Sequence, residues 1–332
     1  MHRSRSRSLA PRFLCLALLG LAAAPALAEP PVVTATAVAL DPADPKHDAL
    51  GKTIFRGGLE LKSDDTRFGG WSDLLVAPDG SSVTAIGDQG GWMSASLQYD
   101  SDGKLAGAVV TAMGQLKGLD GTELGADKAT ADAESLALAS DGGYLVGFEQ
   151  THRIWLYAPD LAGTPVQAAT PPQVLDLAPA YANEGLEAMA RLPDGRLMLF
   201  LEGGATETGS NAFLQDSDGF TELTYARQDG FQVVGAAALA DGSVLIAERF
   251  YSKETGPKIR LRTLAAEGVG KAMSAASMDL LLELGKPLTV DNIEGIGTWQ
   301  DAAGATHVLL LSDDNFNHGE QRTLLLDFEL LP

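Results

Sequence analysis

The 332-residue sequence predicts an all-β protein, a single-domain β-propeller of five blades that follows an N-terminal leader. Three observations predict it. The chain repeats a strand–turn–strand unit five times, each unit is followed by further β-like segments, and 37 glycines with dense turns leave no room for long helices.

Four copies of the unit share one layout: Trp71-Ser-Asp-Leu-Leu-Val-Ala-Pro-Asp-Gly80, Ala133-Glu-Ser-Leu-Ala-Leu-Ala-Ser-Asp-Gly142, Leu186-Glu-Ala-Met-Ala-Arg-Leu-Pro-Asp-Gly195 and Val233-Val-Gly-Ala-Ala-Ala-Leu-Ala-Asp-Gly242. Each apolar strand runs into Asp-Gly, the strongest short hairpin signal, because glycine accepts the positive φ of a tight turn. A fifth copy, Ile293 to Trp299, turns through the longer Asp301-Ala-Ala-Gly-Ala305. Outer strands are expected at Ser94 to Tyr99 with Ala106 to Met113, Ile154 to Tyr157 with Gln173 to Leu177, Ala212 to Gln215 with Thr221 to Ala226, and Lys258 to Leu264 with Met278 to Leu284. The fifth copy has only Arg322 to Leu330 after it, so Val32 to Leu40 or Ile54 to Leu61 must complete its blade and close the ring. A sixth blade would follow if the N-terminal region formed its own, and a stacked β-sandwich is the alternative architecture.

The first 28 residues read as a signal peptide. Arg3, Arg5, Arg7 and Arg12 precede the apolar run Phe13 to Ala24, and Ala26-Leu27-Ala28 supplies the small-residue cleavage site. The expected division is therefore 1–28 leader, 29–50 N-terminal segment and 51–332 propeller. Removing the leader takes the only cysteine, Cys15, and moves the net charge from −20 to −24. A mature chain without cysteine has no disulfide, thiolate metal site or cysteine nucleophile. Its acidity disfavours nucleic acid and anionic membranes as partners, since both require clustered Lys and Arg. With 45% hydrophobic residues the chain can bury a core. The reading is a monomeric periplasmic or secreted protein with no membrane span in its mature part and a small-molecule substrate.

Carboxylates recur at matched places in the hairpins. Asp73 and Asp88, Glu134 and Glu149, and Glu187 and Glu202 each lie 15 residues apart around an Asp-Gly turn. The fourth copy keeps Glu248 but has Val233 where its partner would stand, and the fifth has Glu294 and Asp313. If the hairpins are the inner strands of the blades, these nine acids converge on one rim of the central channel. Like charges so placed repel and need cations, protons or basic partners. Oxygen ligands without Cys or a His cluster select Ca²⁺ or Mg²⁺. Of the bases near the rim, His152 and Arg249 each abut a repeat acid. Nucleophile-elbow, Walker, His-Glu-x-x-His and dinucleotide motifs are absent.

Phe68-Gly-Gly-Trp-Ser-Asp73, Gly87-Asp-Gln-Gly-Gly91, Asp132-Ala-Glu-Ser135, Asn183-Glu-Gly-Leu-Glu187, Ala247-Glu-Arg-Phe250, Asn292-Ile-Glu-Gly295 and Ser312-Asp-Asp-Asn-Phe316 together resemble the exported family known as esterase-like activity of phytase. The resemblance spans about residues 50 to 330 and implies an acid-rich propeller domain with phosphoesterase or phosphodiesterase activity. Glu184, inside the fourth of those motifs, joins the candidate metal ligands. The expectation is a metal-dependent phosphoesterase in which Asp73, Asp88, Glu134, Glu149, Glu184, Glu187, Glu202, Glu248, Glu294 and Asp313 hold Ca²⁺ or Mg²⁺. Glu187, Glu294, Arg249 and His152 are its candidate catalytic groups. Two alternatives stand beside it. One is a non-catalytic binding or scaffold module with structural calcium. The other is a calcium-dependent lactonase-type esterase with Asn183, Asn292 and Asn315 as ligands.

Overall fold

Each of the five hairpin turns is built by the same local chemistry. The aspartate carboxylate accepts the backbone N–H two residues on, as Asp79 does from Ser81, Asp141 from Gly143, Asp194 from Arg196, Asp241 from Ser243 and Asp301 from Ala303. The glycines that follow, from Gly80 to Gly304, take the positive φ that a side chain would resist. The five turns close five antiparallel hairpins, which are the inner strand pairs of five sheets in a computed structural model that describes residues 29–125, 127–170, 185–202 and 209–332. The leader lies outside the described residues.

Blade one is Trp71–Val76, Ser82–Gly87, Gly91–Tyr99 and Leu105–Gln115, and blade two is Ala133–Leu138, Tyr144–Phe148, Arg153–Tyr157 and Val166–Gln167. Blade three runs Leu186–Arg191, Leu197–Leu201, Gly209–Asp216 and Gly219–Ala226, with Met273–Ser274 added in parallel at its edge. Blade four is Gln232–Ala238, Val244–Ser252, Gly256–Leu264 and Asp279–Gly285. The expected outer strand of blade two, Gln173 to Leu177, falls outside the described residues; Val166–Gln167 holds that edge instead.

Blade five joins the two ends of the chain. Asn292–Gln300, Thr306–Asp313 and Thr323–Leu330 are C-terminal, and Thr53–Lys62 pairs antiparallel with Thr323–Leu330 to complete the blade. Thr34–Val38 then adds outside Thr53–Lys62. Both N-terminal stretches therefore extend one existing sheet, and the blade count is five. Each innermost strand packs against those of its two neighbours, closing the ring.

The core divides into five clusters, each filled from two adjacent sheets. Trp71, Leu74 and Met93 of blade one meet Leu309, Leu311 and Leu325 of blade five, and Leu245, Leu261 and Leu282 of blade four meet Ile293, Leu310 and Phe328. Strands covered on both faces read as unbroken apolar runs, such as Leu197-Met-Leu-Phe-Leu201, buried throughout. Each large aliphatic or aromatic side chain buried in these layers contributes about 1.5–3 kcal/mol. Among the described residues no helix is long and apolar enough to cross a membrane.

Candidate functional site

Every inner hairpin carries one β-bulge, and it falls at the same place in all five. The pairing register slips between Trp71 and Asp73, Ala133 and Ser135, Leu186 and Ala188, Val233 and Gly235, and Ile293 and Gly295. The extra residue is Ser72, Glu134, Glu187, Val234 and Glu294 in turn. A bulge sets two residues against one and re-aims the side chain it frees.

The residue after each bulge meets the neighbouring blade. Asp73 Oδ2 accepts the N–H of Leu136 at 2.7 Å, and Ser135 Oγ donates to the carbonyl of Leu186 at 2.8 Å. At Gly295 a Cβ would stand 3.2 Å from Asp73 Cα. Asp73 is therefore not a ring acid paired with Asp88, as equal spacing from the turn suggested. It opposes Ile86, and its buried carboxylate takes backbone N–H groups from Leu74 and Leu136. Burial nonetheless holds it well above the usual carboxylate range. In blade four the acid missing from the bulge place is replaced by Val234, not Val233.

One step beyond the bulge pairing lies a second set of equivalent positions. Asp88, Glu149 and Glu202 donate their N–H to Gly70, Asp132 and Gly185, while Arg249 pairs with Gln232 and Asp313 with Asn292. The fifth acid of this set is thus an arginine. Glu248 stands one residue earlier, opposite Val233, and strand alternation turns it into the blade. There it is fully buried, accepting Arg262 Nε at 2.7 Å and the Tyr225 hydroxyl at 2.9 Å. The expectation that Glu248 belongs to the rim is corrected by this placement. Arg249 follows Asp241 by eight residues, as Glu149 follows Asp141 and Glu202 follows Asp194, so counting from the turn carries the right register.

Seven acids thus remain in the two levels: Asp88, Glu134, Glu149, Glu187, Glu202, Glu294 and Asp313. Their mutual influence shows that they converge. Burial raises Glu134 well above the ordinary range, and Glu187, Glu294 and Asp132 raise it further. Burial likewise raises Glu187, with Glu202, Glu149 and Glu294 adding and Arg249 opposing. Asp313 is raised by burial, then by Glu294 and Asp88. Glu149 is pushed up to about 7, chiefly by burial, against the N–H of Gly185 that it accepts at 2.7 Å. Asp132, Glu134 and Glu149 offer oxygens within 4.8 Å of one another.

Two bases offset part of this charge. Arg249 Nη1 donates to Asn292 Oδ1 at 2.6 Å and to Glu294 Oε1, and its Nη2 lies 3.6 Å from Glu202 Oε1. Lys128 Nζ lies 2.8 Å from Asp88 Oδ2 and 3.6 Å from Asp132 Oδ1. Arg260, at the end of the 249–260 stretch, behaves differently. It is held by Asp229 and Glu283 and stacks over Phe231. His152 is buried, as is Glu149, and a Cβ at Gly185 would run into both, at 2.9 Å from His152 Cε1 and closer still to Glu149 Cγ.

The sequence matches the family model described as esterase-like activity of phytase over residues 66–316, a span that contains every ring position. This chain belongs to that phytase-like family. Searched against curated proteins, it finds no match. Solved structures of similar fold include a gluconolactonase from Xanthomonas campestris (15% identity, 92% of this chain and 98% of that one, TM-score 0.43), and a putative gluconolactonase (10%, 90% and 93%, 0.43). A luciferin-regenerating enzyme is similar at the same level (8%, 84% and 97%, 0.43).

In this phytase-like protein three contributors escaped the sequence reading. Asp132 stands two residues before Glu134 in the motif Asp132-Ala-Glu-Ser135, a signal that was legible. Lys128 comes from the short helix Lys128–Ala131 outside the repeat, where no spacing marks it. Asp314 accepts the Gly70 N–H at 3.0 Å and the Thr323 hydroxyl at 2.9 Å, and meets His318 Nδ1 at 3.1 Å. It also borders a cavity of about 790 Å³ lined by Thr34, Lys62, Thr66, His318 and Arg322. Glu184 and Asn183 lie outside the described residues.

Proposed function

We propose that this protein is an exported, metal-dependent hydrolase of phosphate esters that acts at the carboxylate ring. The observation that carries the reading is the ring itself: seven carboxylates on four of the five inner hairpins, six of them raised chiefly by burial, with Arg249 of the remaining hairpin in the place where each of the others carries an acid. The donor set suits a hard divalent cation, since it is all carboxylate oxygen. Asp88 Oδ1 and Asp132 Oδ1 are buried and accept no hydrogen bond among the described residues.

Asp132, Glu134 and Glu149 are the residues that would hold Ca²⁺ or Mg²⁺. Such an ion supplies Lewis acidity toward a phosphoryl oxygen. Arg249, its guanidinium fixed by Glu294 and Asn292, binds and steadies the anionic phosphoryl group. Glu187, its carboxyl raised by burial and then by its acidic neighbours, is the group that would give a proton to the departing alcohol. His152 packs behind Glu149 and positions it. The cavity beside Asp314 receives the part of the substrate that does not react. Secretion through the leader, cut after Ala28, would deliver the enzyme to the periplasm or medium.

A second reading, a non-catalytic module stapled by calcium, is favoured by one observation: of the bases in the 249–260 stretch, Arg260 is committed to Asp229 and Glu283 and not to the ring. Thermal unfolding of the mature protein in chelator and then in Ca²⁺ or Mg²⁺, beside Glu187→Gln and Glu294→Gln, tests the metal. An ion present at a hundred times its Kd stabilises by about 2.7 kcal/mol. The expected result is a rise in midpoint that the variants diminish, followed by turnover of phosphate esters in a screen that also contains lactones. No shift at several millimolar ion would sink the metal reading. A shift without turnover of any ester would leave the calcium-stapled module.

A further inference from the structure

The two bases of the ring have different origins. Arg249 belongs to the five-fold repeat, whereas Lys128 is delivered by the connection between blades one and two. That connection is pinned at several points. The Asp127 side chain accepts the N–H of Ala129, the Thr151 hydroxyl donates to the Ala129 carbonyl at 2.7 Å, and Arg153 donates to the Thr130 carbonyl. Ala131 is fully buried beneath it. The backbone that carries Lys128 is therefore held in place, and its ammonium falls on the Asp88–Asp132 edge of the ring.

Exposure is unequal across this contact. The Lys128 side chain is 51% exposed, whereas those of Asp88 and Asp132 are 9% and 2% exposed. The lysine can swing into solvent, but the carboxylates cannot follow. Asp132 is also shared: its Oδ1 faces Lys128, its Oδ2 accepts Gln150 Nε2 at 2.7 Å, and it belongs to the Asp132, Glu134 and Glu149 group. An ammonium and a divalent cation thus compete for the same buried carboxylate.

We propose that Lys128 is a tethered counter-ion that neutralises the Asp88–Asp132 edge of the ring, confines divalent-cation binding to the Glu134–Glu149 side and sets its affinity. The inference rests on the reading of the ring as a divalent-cation site. Lys128 weakens ion binding twice, by occupying Asp132 and by repelling a dication a few ångströms away. With the lysine gone, Asp88 and Asp132 become available as a second pair of ligands.

Isothermal titration calorimetry with CaCl₂ and MgCl₂, at constant ionic strength, decides it on the mature wild type, Lys128→Met and Lys128→Arg. Lys128→Gln replaces the methionine variant if that chain does not fold. The expected result is binding at least tenfold tighter in Lys128→Met, or a second ion per chain, with Lys128→Arg indistinguishable from wild type. If wild type binds an ion and Lys128→Met matches it in affinity and stoichiometry, this inference fails and the metal reading stands. If neither binds any ion, the metal reading fails and takes this inference with it. Uptake by Lys128→Met alone would overturn the metal reading for the native ring, and with it the claim that Lys128 sets the affinity of an ion bound there.

Discussion

A one-residue difference in register separates Glu248 from Arg249, and their surroundings could hardly differ more. Glu248 neutralises Arg262 inside blade four and takes the Tyr225 hydroxyl, out of reach of solvent. Removing one partner of a buried pair leaves the other charge uncompensated, at a cost of about 3–5 kcal/mol. Glu248→Ala should therefore lose that much stability in urea denaturation. Its midpoint shift on adding Ca²⁺ should equal that of the wild type, because the ring is untouched; a diminished shift would return Glu248 to the site. Arg249, by contrast, is tied to Glu294, Asn292 and Glu202, residues of blades five and three. It holds the ring together across two blade boundaries.

At the scale of the hairpin, the shared bulge does most of the positioning. By freeing one residue in each inner strand it turns Glu134, Glu187 and Glu294 toward one another, and it lays the next residue against the adjacent blade. Gly295 shows how tight that seam is. A Cβ there would lie 2.8 Å from Leu74 Cδ2 and 3.2 Å from the Asp73 backbone. Gly295→Val should cost about 1–3 kcal/mol by overpacking, read as a lowered thermal midpoint, while the same substitution at the open turn position Gly304 would act through its positive φ instead. An unchanged midpoint at Gly295 would mean that the inner strands are not in contact there. The bulge also explains why equal spacing from the turn misassigned Asp73. Symmetric counting assumes one residue opposite one, and a bulge breaks that count, so Ser72 took the place expected for an acid. Where the count ran only along the second strand, as for Glu149 and Glu202, it held.

For the whole molecule, the ring makes stability depend on pH in the sense opposite to an ordinary ion pair. Glu149 titrates at about 7 in the folded chain against 4.5 when exposed, and Asp88, Glu134, Glu187 and Asp313 are shifted the same way by burial. Well below their unfolded values of 3.8 for Asp and 4.5 for Glu these groups are protonated in both states and their full contribution is present. As pH rises toward 7 the unfolded chain releases protons first, so the folded state loses stability by up to about 1.4 kcal/mol per pH unit for each such group. In chelator, the thermal midpoint should fall from pH 5 to pH 8. Saturating Ca²⁺ should flatten the curve, since ionised carboxylates are what the ion binds. A metal-free midpoint that rises over this range would show that the ring acids are not buried together.

The sequence by itself determined the repeat, the four Asp-Gly turns and the longer fifth turn, the all-β class and the gathering of acids at the hairpin ends. These are local properties, written in side-chain period and turn chemistry within a dozen residues. Tertiary structure alone decided which acids face the channel, because strand side chains alternate with period two and a single bulge flips every neighbour to the other face. It also decided that the chain's two ends share blade five, through Thr53–Lys62 on Thr323–Leu330, and that Lys128 meets Asp88 across 40 residues of chain. Such meetings are set by closure of the ring, which no local pattern encodes.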